Sequence, residues 1–222
     1  MANERLNYID ALKTVACFMV IILHTHTLII NDNALLFENF VNISLDSYLV
    51  YISSPAVNLF GIMTGFLWYK KELHISKIIN LWIIVFIYHS FFTLAFSNQI
   101  SLSLFLKCFC PISSHRWWYI SKYFGVLVLL PVISSFVEHT DYKKLTYLVI
   151  IIVAVYLIFS QVRDPFLLNR GYSSLWLMIL ALVGMYIRRF GISQVLRKNI
   201  ILYYIIGYIY LLLKSESWFL IF

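Results

Sequence analysis

Long apolar stretches recur along this chain, separated by short polar segments, and they constrain the fold more than any other feature. They lie at about 14–30, 48–68, 78–96, 117–136, 145–160, 172–190 and 199–213. A helix needs about 20 apolar residues to cross the hydrocarbon core of a bilayer, and the alternating pattern of an outer-membrane barrel is missing. Because 62% of the residues are hydrophobic and only 12% are charged, the chain is expected to be a multi-pass integral membrane protein.

The sequence therefore predicts an all-α fold, a polytopic transmembrane helical bundle of about seven spans that forms a single domain over residues 1–222. The first apolar stretch has no small-residue cleavage site after it, so we interpret it as a retained span. The final residues, 218–222, are again apolar and predict the beginning of an eighth span, as expected for a chain shortened at its C-terminus.

The distribution of basic residues predicts the orientation in the membrane. Eleven of them lie in the N-terminus and in the loops after spans two, four and six, namely Arg5, Lys13, Lys70, Lys71, Lys77, Lys143, Lys144, Arg188, Arg189, Arg197 and Lys198. The opposite loops hold five, namely Lys107, Arg116, Arg163, Arg170 and Lys214. Short cytoplasmic loops are enriched in Lys and Arg, so we expect a cytoplasmic N-terminus in a plasma-membrane protein. The net charge of +7 reflects this bias, and no nucleic-acid partner is expected.

An ionisable pair, Lys13 and His24, lies in the first apolar stretch, with a second histidine at His26. Eleven helical residues advance about 16 Å and return to within about 20° of the same azimuth, so Lys13 and His24 share a face. His26 is rotated by about 200° from His24, so we expect only one of the two imidazoles to line any single tunnel. Intramembrane ionisable groups usually face a bundle interior or a wet cavity. His24 is therefore a candidate general base, the alternative being a polar side chain satisfied by a neighbouring helix. Asp10, one turn before Lys13, is the expected partner of that lysine.

Three segments carry motifs whose order resembles that of one membrane-protein family. Residues 6–13, LNYIDALK, are followed by ten residues and His24, which is similar to a first span with arginine, ten residues and histidine. Lys13 stands at the position of that arginine. The segment 57–67, VNLFGIMTGFL, resembles a second span ending in Phe, three residues, Ser or Thr, Gly and Phe. The segment 115–120, HRWWYI, resembles an aromatic pair that opens a later span. The family is the membrane acyltransferase-3 family.

This resemblance implies transfer of an acetyl or other short acyl group from cytoplasmic acyl-CoA to a hydroxyl of an extracytoplasmic glycan or lipid-linked sugar. His24 would be the general base. The candidate donor-binding residues are Lys13, Lys70, Lys71 and Lys77. The candidate acceptor-binding residues are Trp117, Trp118 and Tyr119. Acyl-CoA would be consumed as a substrate, and we expect neither a bound cofactor nor a metal.

Several of these assignments have alternatives. The lysines of the 70–77 loop are also what a cytoplasmic loop requires, and the aromatic residues are also typical of an interfacial belt. His89 is interpreted as a helix–helix hydrogen bonder, and Gly61 and Gly65 as a small-residue face for close packing. Lysine cannot make the bidentate phosphate contact that arginine makes, so the lysine at position 13 leaves open whether the chain is catalytic. The alternative interpretation is a non-catalytic polytopic protein, either a permease or an inactive family member.

Overall fold

The computed structural model describes residues 7–32, 48–97, 111–112, 117–160, 166–167 and 171–192. Within these ranges the chain is helical and has no strand, which confirms the predicted all-α class. The helices are α1 Asn7–Asp32, α2 Ala56–Trp68, α3 Ile75–Ala95, α4 Trp118–His139, α5 Tyr142–Ser160 and α6 Ser174–Phe190. The chain divides into two compact units, residues 1–189 and 190–222, and the features described below lie in the first.

Within the described residues, four helical stretches are long and apolar enough to cross a membrane, namely Asn7–His26, Tyr48–Trp68, Ile75–Ala95 and Trp118–His139. They support a polytopic membrane protein, while the count of seven spans stays a prediction. The predicted span at 199–213 and the apolar end at 218–222 lie outside the described residues. The first helix begins at Asn7, earlier than the predicted 14, because helical structure continues into its polar start. There the hydroxyl of Thr14 donates to the carbonyl of Asp10 at 3.0 Å.

The second span is broken, although the sequence predicted a continuous one. Residues 48–53 are helical, a turn follows at Ser54 and Pro55, and α2 begins at Ala56. Proline has no backbone N–H to continue the helical ladder, and it fits well at or just before the first turn of a new helix. The hydroxyl of Ser54 donates to the carbonyl of Tyr51 at 2.8 Å. Irregular backbone at membrane depth occurs where it is buried in protein or lines a cavity, and this break borders the cavity described below.

Small residues bring α2 and α6 into backbone contact. Gly65 of α2 lies against the carbonyl of Ala181, and Gly184 of α6 lies against the carbonyl of Ile62. A Cβ added at either glycine would overlap the facing backbone. Gly61 also faces α6, so the predicted close packing of this glycine face is confirmed. The two backbones approach this closely because each helix places a glycine against the backbone of the other.

Contacts between helix ends divide the bundle into two ends. Tyr8 packs edge-on against Phe66, with 6.4 Å between ring centroids, so α1 and α2 are antiparallel. The Nζ atom of Lys70 lies 2.8 Å from Glu138, and the guanidinium of Arg189 donates to two carbonyls at the end of α4. The start of α1, the α2–α3 loop and the ends of α4 and α6 therefore meet at one end, which we term the basic end. The start of α4 lies at the opposite, aromatic end.

The first helix is less enclosed than α6. α1 packs against α2, and it buries Ile9 and Ala16 in a cluster with Met63. Within the described residues its other faces are less covered: Phe18 is 62% exposed, and Ile21, which is 58% exposed, lines the cavity described below. In a membrane protein such apolar side chains are solvated by lipid, so α1 lies at the periphery of the described bundle.

Candidate active site

A cavity of about 610 Å³ lies at the aromatic end. It is lined by residues of α1, of the broken second span, of the start of α4 and of the segment before α6, namely Cys17, Val20, Ile21, Leu23, His24, His26, Val50, Val57, Phe60, Trp118, Tyr119 and Tyr172. The break at residues 54–55 lies between Val50 and Val57, so both pieces of the second span contribute to the same wall. Ligand sites of this kind combine apolar and aromatic walls with a few polar groups.

Both histidines of α1 line this cavity. The expectation that only one imidazole would do so is therefore wrong. The cavity reaches more than one face of α1, since Cys17 and His26 both line it and lie about 180° apart on the helical wheel. His24 is exposed, whereas His26 is half-buried, so His24 is the more accessible of the two imidazoles.

The cavity begins one helical turn from Lys13. Cys17 is its first lining residue on α1, and four residues correspond to about 6 Å along the helix. The Nζ atom of Lys13 lies 3.2 Å from Asp10, which confirms the predicted ion pair. A ligand lying along this face of α1 would therefore extend from the cation at Lys13 to the imidazole of His24.

Aromatic rings form the wall opposite α1. Trp118 meets Tyr172 edge-on with 4.9 Å between ring centroids, and it lies 5.7 Å from Tyr119. Tyr119 in turn contacts Phe60 at 6.1 Å. The faces of such rings are suited to stacking against a sugar, and their hydroxyl groups can hydrogen-bond it.

Trp117 is separate from this wall. Its indole Nε1 donates to Nδ1 of His89 at 3.2 Å, which joins α3 to the start of α4 and confirms His89 as a helix–helix hydrogen bonder. His89 is 3% exposed. Trp117 lines a different, apolar pocket of about 360 Å³ beside Tyr88 and Phe92. Of the three predicted acceptor residues, the structure therefore brings only Trp118 and Tyr119 together on the cavity.

The basic end carries a cluster of cations around Lys71. Burial lowers the pKa of Lys71, and the charges of Lys77, Arg188 and Lys13 lower it further. We term these four residues the basic cluster. The Nζ atom of Lys77 lies 4.7 Å from the centre of the Trp68 ring, which holds it beside the end of α2. Grouped like charges favour binding of an anion, because a bound anion relieves their mutual repulsion.

Lys70 has a different role from the other lysines of its loop. It pairs with Glu138, and this hydrogen bond raises the pKa of Lys70. Its backbone is left-handed, with φ of 59°, and its N–H donates to the hydroxyl of Ser134 at 3.0 Å. The structure thus brings three of the four predicted donor residues together and places Lys70 in a contact between the α2–α3 loop and α4.

Two residues of the site were missed by sequence reasoning, Arg188 and Tyr172. Arg188 was counted only as part of the basic bias of a cytoplasmic loop. A pair of arginines at the end of an apolar helix also indicates a candidate anion-binding residue. Tyr172 follows Gly171, whose φ is +94°, and precedes Ser173, whose hydroxyl accepts the N–H of Trp176 at 3.1 Å. Serine before an apolar run is a typical helix N-cap, so the sequence indicates where α6 begins, but it does not indicate that Tyr172 lines a cavity.

The fold and these features define a class of protein, a helical membrane protein whose first helix joins a cation to a cavity-lining imidazole. The family model for the acyltransferase-3 domain, described as an acyltransferase domain, matches residues 6–222. The chain therefore belongs to the acyltransferase-3 family, whose members are membrane acyltransferases, and the predicted family is confirmed. No curated protein and no solved structure matches the chain.

Proposed function

We propose that the protein is an O-acyltransferase that moves an acetyl or other short acyl group from acyl-CoA to a hydroxyl of a glycan or lipid-linked sugar. The observation that supports this best is the arrangement along α1. Lys13 belongs to the basic cluster, His24 lines the cavity, and about 16 Å of helix separates them. A donor with an anionic nucleotide at one end and a thioester at the other matches this arrangement, because its phosphates would lie at Lys13 and its thioester near His24.

The donor would lie along α1 with its phosphates at the basic cluster. Lys13, Lys71 and Lys77 provide the positive charge, and charge-assisted contacts to phosphate are among the stronger hydrogen bonds in proteins. The arm that carries the acyl group would then pass Cys17 into the cavity and bring the thioester carbon close to His24. The acceptor would enter from the aromatic end, against Trp118 and Tyr119.

The chemistry needs one base and no redox partner. The neutral imidazole of His24 accepts the proton of the acceptor hydroxyl while that oxygen attacks the thioester carbon. The tetrahedral intermediate collapses, the carbon–sulfur bond breaks, and the CoA thiolate leaves. The imidazolium returns its proton to that thiolate, so an ester and free CoA are the products.

The sidedness follows from the basic bias. The basic end would face the cytoplasm, where acyl-CoA is made, and the aromatic end would face outward across the plasma membrane. In that orientation the reaction crosses the bilayer within one bundle, because the cavity extends from near Lys13 to the aromatic wall.

The test compares the two cavity histidines at matched membrane abundance. We expect His24→Ala to lower transfer of label from radiolabelled acetyl-CoA to the glycan fraction of expressing membranes by about 10²–10⁴-fold, the usual cost of a lost general base. His26→Ala is expected to cost far less, because that side chain is half-buried and off the Lys13 face. If His26→Ala is inactive and His24→Ala retains transfer, His24 is not the base. If neither variant loses activity, the cavity is not the site of transfer.

A further inference from the structure

The basic cluster contains one arginine, Arg188, beside three lysines. The neighbouring cations at this end of the bundle have structural partners. Arg189 donates to the carbonyls of Val137 and Thr140, at the negative end of the α4 dipole. Lys70 is paired with Glu138. Neither is therefore available to an incoming anion without the loss of a contact inside the protein.

Arg188 has a different environment. Its guanidinium carbon lies 4.9 Å from the centre of the Phe66 ring, and the side chain is exposed. In the part of the chain that the structure describes, no carboxylate is paired with it. The attraction between a guanidinium and the face of a ring uses none of its N–H donors in a hydrogen bond to another side chain. Among the described residues, Arg188 is therefore an exposed member of the basic cluster whose N–H donors have no carboxylate partner.

The Phe66 ring, beneath the guanidinium of Arg188, is held in place by packing. Phe66 packs on the buried cluster of Ile9, Ala16 and Met63, and so ties the ring to α1. Gly184, one turn before Arg188, lies against the backbone of α2 at Phe66. The ring beneath the guanidinium and the helix that carries Arg188 are thus both fixed by helix contacts, which limits the positions that the guanidinium can take.

We infer that Arg188 binds a phosphate group of the acyl-CoA donor through two parallel N–H···O hydrogen bonds. The inference rests on the proposed function. A lysine ammonium is a point charge, whereas a guanidinium matches two phosphate oxygens at once, so among the four cations of the cluster only Arg188 can supply this contact. Lys13, Lys71 and Lys77 add charge around it. Arg188 is then a specificity-determining residue that favours a phosphorylated donor over the same thioester without phosphate.

The experiment measures binding of CoA to the purified protein in detergent micelles. Arg188→Lys keeps the positive charge but loses the pair of parallel N–H donors. We expect it to raise the Kd for CoA by about tenfold or more, the usual scale of a charged hydrogen bond. Arg188→Ala should raise it further. Lys13→Arg in the Arg188→Lys background should recover part of the affinity, because it returns a guanidinium to the cluster. Lys144→Ala removes an exposed cation outside the cluster and should leave the Kd unchanged.

A second probe separates recognition from folding. Pantetheine has the arm of CoA but no phosphate, so its binding should not change in Arg188→Lys. If both probes weaken equally, or if only the melting temperature falls, Arg188 is structural and the inference is wrong. If the unaltered protein binds CoA and Arg188→Lys binds it equally well, the inference alone fails. If the unaltered protein does not bind CoA, the proposed function fails, and the inference fails with it.

Discussion

The contact between α2 and α6 predicts a ranking of glycine-to-alanine substitutions. A Cβ at Gly65 would overlap the carbonyl of Ala181, and that backbone oxygen cannot move to another rotamer. A Cβ at Gly61 would lie 2.9 Å from the Cβ and 3.0 Å from the Cδ1 of Leu180. The Cδ1 can move by rotation, but relief of the Cβ contact needs a shift of the helices by a few tenths of an ångström, far less than the backbone overlap at Gly65 requires. At Gly125 the nearest atom is the hydroxyl oxygen of Ser174, at an ordinary contact distance of 3.5 Å. Gly125 is therefore the matched control.

Overpacking costs about 1–3 kcal/mol and occasionally more, and the backbone clash belongs at the upper end. For a chain of this size 1 kcal/mol shifts the melting temperature by about 2–4 °C. We therefore expect Gly65→Ala to lower the melting temperature by about 6–12 °C. Gly61→Ala should lower it by about 2–4 °C, since its cost lies at the lower end of the same range. Gly125→Ala should leave it unchanged or raise it slightly, because alanine is the better helix former by about 1 kcal/mol.

The assay is thermal unfolding of the purified variants in one detergent, followed by tryptophan fluorescence. Trp176 reports on this contact directly, since it lies in α6 and its indole donates to Asn58 of the second span at 2.8 Å. If Gly65→Ala and Gly125→Ala melt within about 2 °C of each other, the backbone contact does not stabilise the bundle as argued. A larger loss in Gly61→Ala than in Gly65→Ala would contradict the same reasoning.

Two further predictions concern the basic end. The pKa of Lys71 is lowered, by burial first and then by Lys77, Arg188 and Lys13, so Lys71 loses its charge at a lower pH than an ordinary lysine. Binding of adenosine 3′,5′-bisphosphate should therefore weaken as the pH rises toward 10.5, the ordinary pKa of a lysine. Lys71→Arg should remove the part of that decline that comes from Lys71, and an unchanged pH profile would exclude Lys71 from the site. Single cysteines should be labelled by an impermeant reagent in intact cells at position 33 and not at position 72, and the reverse pattern would invert the proposed orientation.

The positions of the helices were predictable from the sequence because hydropathy is a local property. The described helices lie within a few residues of the predicted spans, apart from the early start at Asn7. The break at Pro55 was not predicted, although proline within an apolar run is a signal for it. Hydropathy averages over such a stretch and does not register a two-residue interruption.

The site was less predictable, because it depends on distances between helices. The motif around His24 led to a cavity-lining residue, but a helical wheel alone cannot show how far a cavity reaches around a helix, so His26 was misplaced. Loop position could not separate Lys70 from Lys71, since their difference arises from Glu138 on another helix. Arg188 joins the basic cluster from the far end of the described chain, which no local pattern indicates.

The open faces of α1 have a consequence for any work on the isolated protein. The helix that carries both Lys13 and His24 exposes Phe18 between them, and none of the described residues covers this face, so lipid or detergent chains can contact it. A bilayer that is too thick or too thin changes the tilt of such a helix at a cost of only fractions of a kcal/mol per Å. Under the proposed function, we expect the distance between donor and acceptor along the membrane normal to vary with the acyl-chain length of the lipid. Turnover should then have an optimum bilayer thickness that thermal stability does not share.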